Sequence, residues 1–395
     1  MRTFLILFIL FFITYNLIAQ TSVNPDISGI GVFNTYTNFI KDTPEYGKLN
    51  FDIPEMELYV EGYLNPYARA AFNIAFHEGE FHGEEIYAQI VRGLPLDIQI
   101  KAGKYLVGFG KINTIHPHAW SFIYRPLYQQ IYFGHEGFND IGVNLSFILP
   151  TGDIYSTMDL GIFKGDALAS EHHHDSHEGE EEDHHNEMER GNSPIFVGRL
   201  GSFIQIGDFS NIEVGLSGSY GVHSKMDFYT STDSTATPEN KSLNYFYGGA
   251  DFKYKYRPDS YTSLTIQGEA LWNRRDVLRR DDLNLDKENA INTFGAFIYV
   301  DYRFNRIFSI GGKYDFTYGI IGDDQHYHTL ANDDKNNTTG IEGWLGFYPV
   351  EETLALRLGI QHLMFSYADG TERDAETTIN LQLIFSLGPH KAHPF

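Results

Sequence analysis

The chain has 395 residues and a formal net charge of −23 at pH 7, with 15% aromatic residues, 38 glycines and no cysteine. The lack of cysteine excludes a disulfide framework and a thiolate metal site. An acidic chain without a basic patch gives no support to nucleic-acid binding. No linker or short repeat divides the sequence, which favours one large folded unit.

The N-terminus has the layout of a secretory signal peptide. Arg2 is followed by an apolar run from Phe4 to Ile13 and by a small-residue site at Ala19. We therefore predict a signal peptide over residues 1–19 and export from the cytoplasm. A membrane anchor helix is the alternative, but the apolar run is shorter than the roughly 20 residues that a span requires. No later segment is apolar enough for a transmembrane helix.

Most of the chain alternates apolar and polar residues with a period of two. Phe252 and Tyr254, for example, alternate with Asp251 and Lys253. Such long apolar faces fit lipid on one side and water on the other, whereas a soluble β-sandwich is the alternative. The pattern predicts about 16 strands, near residues 26–38, 53–63, 66–78, 83–92, 97–107, 138–149, 154–164, 194–205, 209–222, 243–257, 260–273, 290–304, 306–319, 338–348, 353–366 and 375–387.

The connections between these strands alternate between short and long. Even-numbered ones such as 150–153 are tight, whereas odd-numbered ones include 108–137 and 165–193. A soluble β-sandwich is not expected to alternate short and long loops along the chain. Bacterial outer-membrane barrels do, because they pair short periplasmic turns with long outer loops. The sequence therefore predicts an all-β fold, a transmembrane antiparallel up-and-down β-barrel over residues 20–387 in the Gram-negative outer membrane. A periplasmic tail would follow at 388–395.

The third long connection, residues 108–137, is rich in aromatic side chains. A loop of 30 residues is normally functional or disordered, and its aromatic content argues against disorder. Because these side chains must be buried, we predict that the loop folds back into the channel and narrows it. Trp120, Tyr124 and Arg125 would form the constriction. The alternative is an aromatic cap over the mouth of the barrel or a trimer interface.

Two histidines of this loop form a candidate metal site. His116 and His118 lie two residues apart on a predicted extended segment, so their imidazoles point the same way. They could share one zinc or copper ion, with His135 or Glu136 as a third ligand. The alternative is that both form hydrogen bonds within a packed loop.

The fourth long connection contains a histidine tract at residues 170–191, SEHHHDSHEGEEEDHHNEMERG. It has no apolar residue able to anchor a fold, so the composition predicts a solvated loop. Imidazoles flanked by nine carboxylates favour weak, multi-site binding of zinc or other divalent transition metals. The alternatives are a solvated acidic fringe and a region that binds the divalent cations bridging lipopolysaccharide. The candidate ligands are His172, His173, His174, His177, His184 and His185.

A resemblance to a known family rests on the segment from Lys104 to Gly152. It contains GFGKIN, HPHAW, RPL and GHEGFNDIGVNLSFILPTG, with weaker matches at NPDISGIG and at the C-terminal GPHKAHPF. On these motifs the chain resembles porin-like outer-membrane proteins catalogued as zinc-regulated outer-membrane receptors. The resemblance implies a barrel linked to zinc uptake and TonB-dependent transport. Such transporters have plugged barrels of about 22 strands, so this sequence departs from them in strand count, and we expect no plug domain.

The predicted lumen face carries charges of both signs. Because the outer loops are acidic, we expect cations to be enriched at the mouth and preferred, whereas a basic wall favours anions. The acidic residues of the wall are Glu57, Glu61, Glu213, Asp251, Glu269 and Asp301. The basic residues are Arg69, Lys101, Arg199, Lys253, Lys255, Arg257, Arg303 and Arg357.

These observations favour a passive channel for small solutes, linked to the uptake of zinc or another divalent metal. No cofactor is required beyond loosely bound metal ions. The alternatives are a surface metal-binding or scavenging barrel, which predicts no conductance, and a TonB-linked receptor without a plug. A hydrolase needs a positioned nucleophile with His and acid partners, and such residues are only scattered here, so we expect no enzyme activity. The expected partners are outer-membrane lipid, small solutes or metal ions and further copies in a homotrimer.

Overall fold

The computed structural model describes residues 25–41, 43–77, 80–134, 136–165, 194–223, 243–276, 278–281, 284–287, 291–319, 337–350, 353–367 and 373–388. Four features predicted from the sequence lie outside these residues. They are the signal peptide at 1–19, the histidine tract at 170–191, the tail after Gly388 and the candidate ligand His135.

Long β-strands make up most of the described chain. They are β1 (Asp26–Phe39), β2 (Leu49–Asn65), β3 (Ala68–His77), β4 (Glu80–Ile90), β5 (Gln99–Leu106), β6 (Asn139–Leu149), β7 (Tyr155–Phe163), β8 (Ile195–Ile206), β9 (Ser210–His223), β10 (Leu243–Tyr256), β11 (Ser263–Arg275), β14 (Ile291–Phe304), β15 (Phe308–Tyr318), β16 (Asn337–Val350), β17 (Leu354–Ser366) and β18 (Glu376–Leu387). A separate small hairpin consists of β12 (Leu278–Asp281) and β13 (Asn284–Lys287).

The 16 long strands form one closed antiparallel barrel, in which β1 pairs with β18. Closure leaves no unpaired strand edge, as a membrane-spanning sheet requires. The two faces follow the period of two read from the sequence. In β10, Phe252 and Tyr256 are exposed on the outside, whereas Asp251, Lys253 and Lys255 are buried on the inside. The predicted fold class is therefore confirmed.

The two ends of the barrel differ, as the lengths of the connections predicted. One end, here called the turn end, carries only short connections, and the opposite loop end carries all of the long ones. The exception at the loop end is the connection between β3 (ending at His77) and β4 (beginning at Glu80), which is short. In the turn between β14 and β15, Asn305 and Arg306 have φ values of 52° and 62°. This left-handed backbone allows the chain to reverse within a few residues.

Two features of the loop end were not predicted from the sequence. The interval 274–289, expected to be a loop, contains the β12–β13 hairpin. The connection 108–137 contains two 3-10 turns and one α-helix, α1 (Leu127–Phe133). Pro126 precedes α1 with its φ at −54°, and Gly134 ends it in the left-handed region. Among the described residues, no helix is long and apolar enough to cross a bilayer.

Candidate functional site

Residues 108–137, here called the inner loop, lie inside the barrel. The Ile112 N–H donates to Glu269 Oε1 of β11 at 2.6 Å, and the Ile123 N–H donates to Glu342 Oε1 of β16 at 2.6 Å. Both acceptors are buried on the inner wall. The inner loop therefore leaves β5, crosses the lumen and reaches the opposite wall, instead of covering the mouth of the barrel.

The aromatic side chains of the inner loop form a core with aromatics of the wall. Phe122 is fully buried, and its ring centroid lies 5.2 Å from Trp120, 5.1 Å from Tyr299 and 6.3 Å from Trp344. The contact with Trp120 is tilted, and those with Tyr299 and Trp344 are edge-to-face. Aromatic contacts at such distances add to the stabilisation from burial. The inner wall is therefore where the loop buries its aromatic surface.

The three predicted constriction residues lie within this core or at its edge. Trp120 is buried, and its indole N–H donates to the Ile115 carbonyl at 2.9 Å. The Arg125 guanidinium carbon lies 4.9 Å from the centre of the Trp120 ring, in cation–π geometry. The carbonyl of Tyr124 accepts a hydrogen bond from Lys313 Nζ of β15. All three hold the loop in place, and their role in permeation stays a prediction.

Charged residues of the wall supply partners for the main chain of the inner loop. Lys313 Nζ lies 2.9 Å from Glu342 Oε2 and 3.2 Å from Asp315 Oδ2, and no more than 1% of any of these side chains is exposed. Arg357 donates to the carbonyl of His118 at 2.9 Å. A loop inside a barrel has no strand ladder to join, so its buried backbone groups need such partners. Arg357 therefore anchors the loop.

A glycine of β14 allows the inner loop to approach the wall closely. A Cβ added at Gly295 would lie 2.3 Å from the Cβ of Tyr128 in α1. We expect Gly295→Ala to displace α1 and to destabilise the barrel by about 1–3 kcal/mol. Gly343→Ala is the matched control, because its Cβ would meet only the Gly311 carbonyl at 3.9 Å. Denaturant unfolding in detergent measures both, and equal midpoints would contradict the expectation.

Six side chains meet between β2, β4 and the inner loop in what we call the glutamate–histidine cluster. The ring centroids of its two histidines lie 5.6 Å apart with an interplanar angle of 17°. His116 Nδ1 lies 3.2 Å from Glu57 Oε1, and His118 Nδ1 lies 2.6 Å from Glu55 Oε1. The members of the cluster are Glu55, Glu57, Glu84, Glu85, His116 and His118.

A β-bulge explains why two successive carboxylates of β4 reach this cluster. Glu85 pairs with Asn73 of β3, but Gly83 pairs with the next residue, Ile74. Glu84 is therefore an extra residue without a partner in the ladder. Such a bulge changes the direction of its side chain, so Glu84 and Glu85 can both approach the histidines.

Asn73 connects the carboxylates of the cluster. It is fully buried, and its Nδ2 donates to Glu57 Oε2 and to Glu84 Oε2, each at 2.9 Å. Glu57 Oε1 is also buried, and it faces His116 Nδ1 at 3.2 Å without a well-aligned hydrogen bond. Burial by itself lowers the pKa of His116, but the negative charges of Glu57 and of neighbouring carboxylates outweigh burial and raise this pKa to about 10.

The carboxylates nearest to His116 are not those that the sequence suggested. One ligand atom each from Glu55, Glu57 and His116 lie within 4.8 Å of one another. Glu136 instead lies 3.5 Å from Lys104 Nζ. Glu55 and Glu57 were missed as ligands because they lie on β2, and three further strands separate them from the loop in the chain. Their spacing of two residues in a predicted strand was the available signal.

The turn end of the lumen is basic. It contains an open cavity, which the inner loop covers through Ile115 and Trp120. Among its described lining residues Asp301 is the only acid. The basic residues, which define what we call the basic vestibule, are Lys253, Lys255, Arg257, Arg303, Arg306 and Arg357.

Two further basic residues of the predicted lumen wall also lie near the turn end. Lys101 Nζ lies 3.7 Å from the centre of the Tyr87 ring and 4.0 Å from that of Tyr105. Arg69 Nη1 lies 3.8 Å from Glu61 Oε2. The clustering of these basic residues at one end was not predicted, although the position of each beside a short connection was the available signal.

The inner loop covers one side of the wall more than the other. On β11 and β15 the inward residues are buried, as Gln267 and Asp315 illustrate. On β5 to β9 several inward polar residues are only half-buried, and we call them the polar strip. They are Lys101, Asn144, Asp159, Arg199 and Glu213.

Comparison with known sequences gives no assigned function. No family model matches the chain. An uncharacterized protein of Aquifex aeolicus (strain VF5) is 27% identical over 366 residues, which cover 89% of this chain and 72% of that protein.

Comparison with solved structures identifies the fold as that of the porins. The outer membrane channel DcaP of Acinetobacter baumannii has a TM-score of 0.59 at 9% identity, over 93% of this chain and 99% of its own. The anion-selective porin from Comamonas acidovorans has a TM-score of 0.56 at 9% identity, over 92% and 100%. OmpT of Vibrio cholerae in trimer form has a TM-score of 0.53 at 10% identity, over 92% and 99%.

Proposed function

We propose that this protein is a passive channel for small solutes in the Gram-negative outer membrane. The turn end would face the periplasm and the loop end the exterior, as in barrels of this kind. The observation that carries the proposal is the polar strip, which runs along β5 to β9 inside a barrel whose outer face is apolar. A water-filled passage along this strip, narrowed by the inner loop, would admit only small polar solutes.

Planar-bilayer recording and liposome swelling with the purified full-length protein test this function. We expect ohmic conductance that needs no energy source. A protein that inserts as a folded barrel but conducts nothing would contradict the proposal and would favour the surface metal-binding barrel. Uptake that requires energy coupling would favour a TonB-linked receptor instead.

A finer part of the proposal links the channel to zinc or other divalent metals. It is supported by the composition of the histidine tract and by the sequence resemblance around residues 104–152. The tract would concentrate metal ions at the outer mouth through weak binding. Metal flux and block by zinc should therefore both decrease when residues 170–191 are deleted. Unchanged flux and block would show that the tract has no part in transport.

We also propose that the protein forms a homotrimer. Small residues lie opposite one another on the outer face of β2 to β5, where Gly62 pairs with Ala70, Ala70 with Ala88 and Ala88 with Ala102. A surface of small residues lets a neighbouring barrel approach closely. OmpT of Vibrio cholerae, which has a similar fold, is described in a trimer form. The mass of the particle in detergent distinguishes a trimer from a monomer.

The basic vestibule should influence ion selectivity. We expect the double substitution Lys255→Gln with Arg257→Gln to shift the reversal potential under a salt gradient towards cation selectivity, because it removes two positive charges from the periplasmic end of the passage. Arg274→Gln is the matched control. Arg274 follows the outward-facing Trp272 by two residues on β11, so it lies on the outer face of the barrel and not in the passage. A reversal potential that the double substitution leaves unchanged would exclude the vestibule from the permeation path.

A further inference from the structure

We propose that the glutamate–histidine cluster is a binding site for one divalent transition-metal ion of the zinc class. Glu55, Glu57 and His116 would be its protein ligands, with His118 beside them as a fourth donor. The site is separate from the histidine tract, and the proposal does not depend on whether the barrel conducts.

Two distances between donor atoms are close to those that a zinc-sized ion requires. Zinc binds imidazole nitrogen and carboxylate oxygen at about 2.0–2.2 Å with tetrahedral geometry, so its ligand atoms lie roughly 3.3–3.6 Å from one another. His116 Nδ1 lies 3.2 Å from Glu57 Oε1, and His118 Nδ1 lies 3.7 Å from the same oxygen. The Glu55 oxygen that completes the group lies within 4.8 Å of both other ligand atoms. His118 Nδ1 lies 2.6 Å from Glu55 Oε1, so metal binding would have to replace this contact.

A buried carboxylate oxygen lies at the centre of the arrangement. Glu57 Oε1 accepts no well-aligned hydrogen bond and faces the two imidazole nitrogens at 3.2 and 3.7 Å, whereas the second oxygen of the same carboxylate is held by Asn73 at 2.9 Å. A buried carboxylate oxygen needs positive charge or a donor beside it. Asn73 thus fixes the carboxylate with its free oxygen towards the two imidazoles, as outer hydrogen bonds do for metal ligands.

The charge and the donor types favour a transition metal. The four carboxylates outnumber the two imidazoles, so the cluster stays negative even with both rings protonated, and a metal ion would displace those protons. Imidazole donors favour zinc, copper and nickel, whereas magnesium and calcium prefer sites made only of oxygen. A bound ion would tie the inner loop to β2, a part of the wall different from β15 and β16, which carry the anchors Lys313 and Glu342.

Metal binding to the refolded full-length protein tests the proposal. The protein is stripped with a chelator and titrated with Co²⁺, whose visible absorption reports coordination by nitrogen and oxygen, and Zn²⁺ is then added as competitor. Inductively coupled plasma mass spectrometry after dialysis gives the number of tightly held zinc ions. We expect one such ion in the wild type and an affinity lower by at least about 10-fold in His116→Ala and Glu57→Gln, since loss even of outer partners costs about 10- to 100-fold.

Two controls separate this site from others. The first is His82→Ala, which removes an exposed histidine of β4 outside the cluster. The second is deletion of residues 170–191, which removes the histidine tract. Both variants should retain the tight ion. The heat-dependent mobility of the barrel in gel electrophoresis verifies folding, and His116→Gln replaces His116→Ala if the latter does not fold. The proposal would be overturned if deletion of the tract removed the tight ion or if the cluster variants bound metal as tightly as the wild type. Displacement of Co²⁺ by an equal concentration of Mg²⁺ would also overturn it.

Discussion

Excision of the inner loop is expected to raise the single-channel conductance several-fold. The variant replaces residues 115–136 with a short Gly-Ser link. The ends can be joined because Asn113 holds the base of the loop closed. Its Nδ2 donates to the carbonyls of Val107 and Phe138 at 2.8 and 2.9 Å, and its Oδ1 accepts from the Phe138 N–H at 2.9 Å. Without the loop, the lumen enclosed by the 16 strands becomes an open aqueous channel.

Bilayer recording of the excised variant beside the wild type measures this effect. Deletion of residues 170–191 is the control, because it removes a segment of similar length that was predicted to lie outside the lumen. The control should keep the wild-type conductance. Equal conductance in the excised variant and the wild type would show that the inner loop does not limit the passage, and would contradict its role as a constriction.

Replacement of Lys313 by alanine should destabilise the protein more than any surface substitution. Asp315 and Glu342 lie within 3.2 Å of Lys313 Nζ, and all three side chains are buried. Removing the only cation of this group leaves two carboxylates uncompensated, and loss of one partner of a buried pair typically costs about 3–5 kcal/mol. The same carboxylates accept hydrogen bonds from the inner loop, so the loop should also loosen.

Denaturant unfolding in detergent, followed by tryptophan fluorescence, measures the loss of stability. Lys41→Ala is the matched control, because Lys41 and Asp374 form an ion pair at 2.6 Å whose side chains are 64% and 53% exposed. Solvent screens such a pair, so its removal should cost no more than about 1 kcal/mol. Adding Asp315→Asn and Glu342→Gln to Lys313→Ala should recover part of the stability. A Lys313→Ala midpoint equal to that of Lys41→Ala would refute the argument.

The architecture could be predicted from the sequence because it depends on local, repeated signals. Each strand shows its own alternation of apolar and polar residues. The regular change between short and long connections indicates the antiparallel order. The observed bounds of β10, Leu243–Tyr256, differ from the predicted 243–257 by one residue. The β4 bulge was not predictable in this way, because one extra residue in a strand changes no composition and only the pairing with β3 reveals it.

The site was predictable only in part. His116 and His118 were identified because both their residue type and their spacing stand out within one loop. Glu55 was not, because a single glutamate in a strand is ordinary until its neighbours are known. Lys313 was missed for the same reason, since its partner Glu342 lies on another strand and its hydrogen bond to the loop joins elements far apart in the chain.

The sequence by itself determined that this chain forms a closed barrel with an apolar outer face, and it identified residues 108–137 as a loop that must bury aromatic surface. These conclusions follow from periodicity and composition, which act within one strand or one loop. Only the tertiary structure decided where that loop goes and which wall residues meet it. Closing the barrel brings β2, β4 and β15 around one segment, so the glutamate–histidine cluster and the anchor at Lys313 exist only in three dimensions.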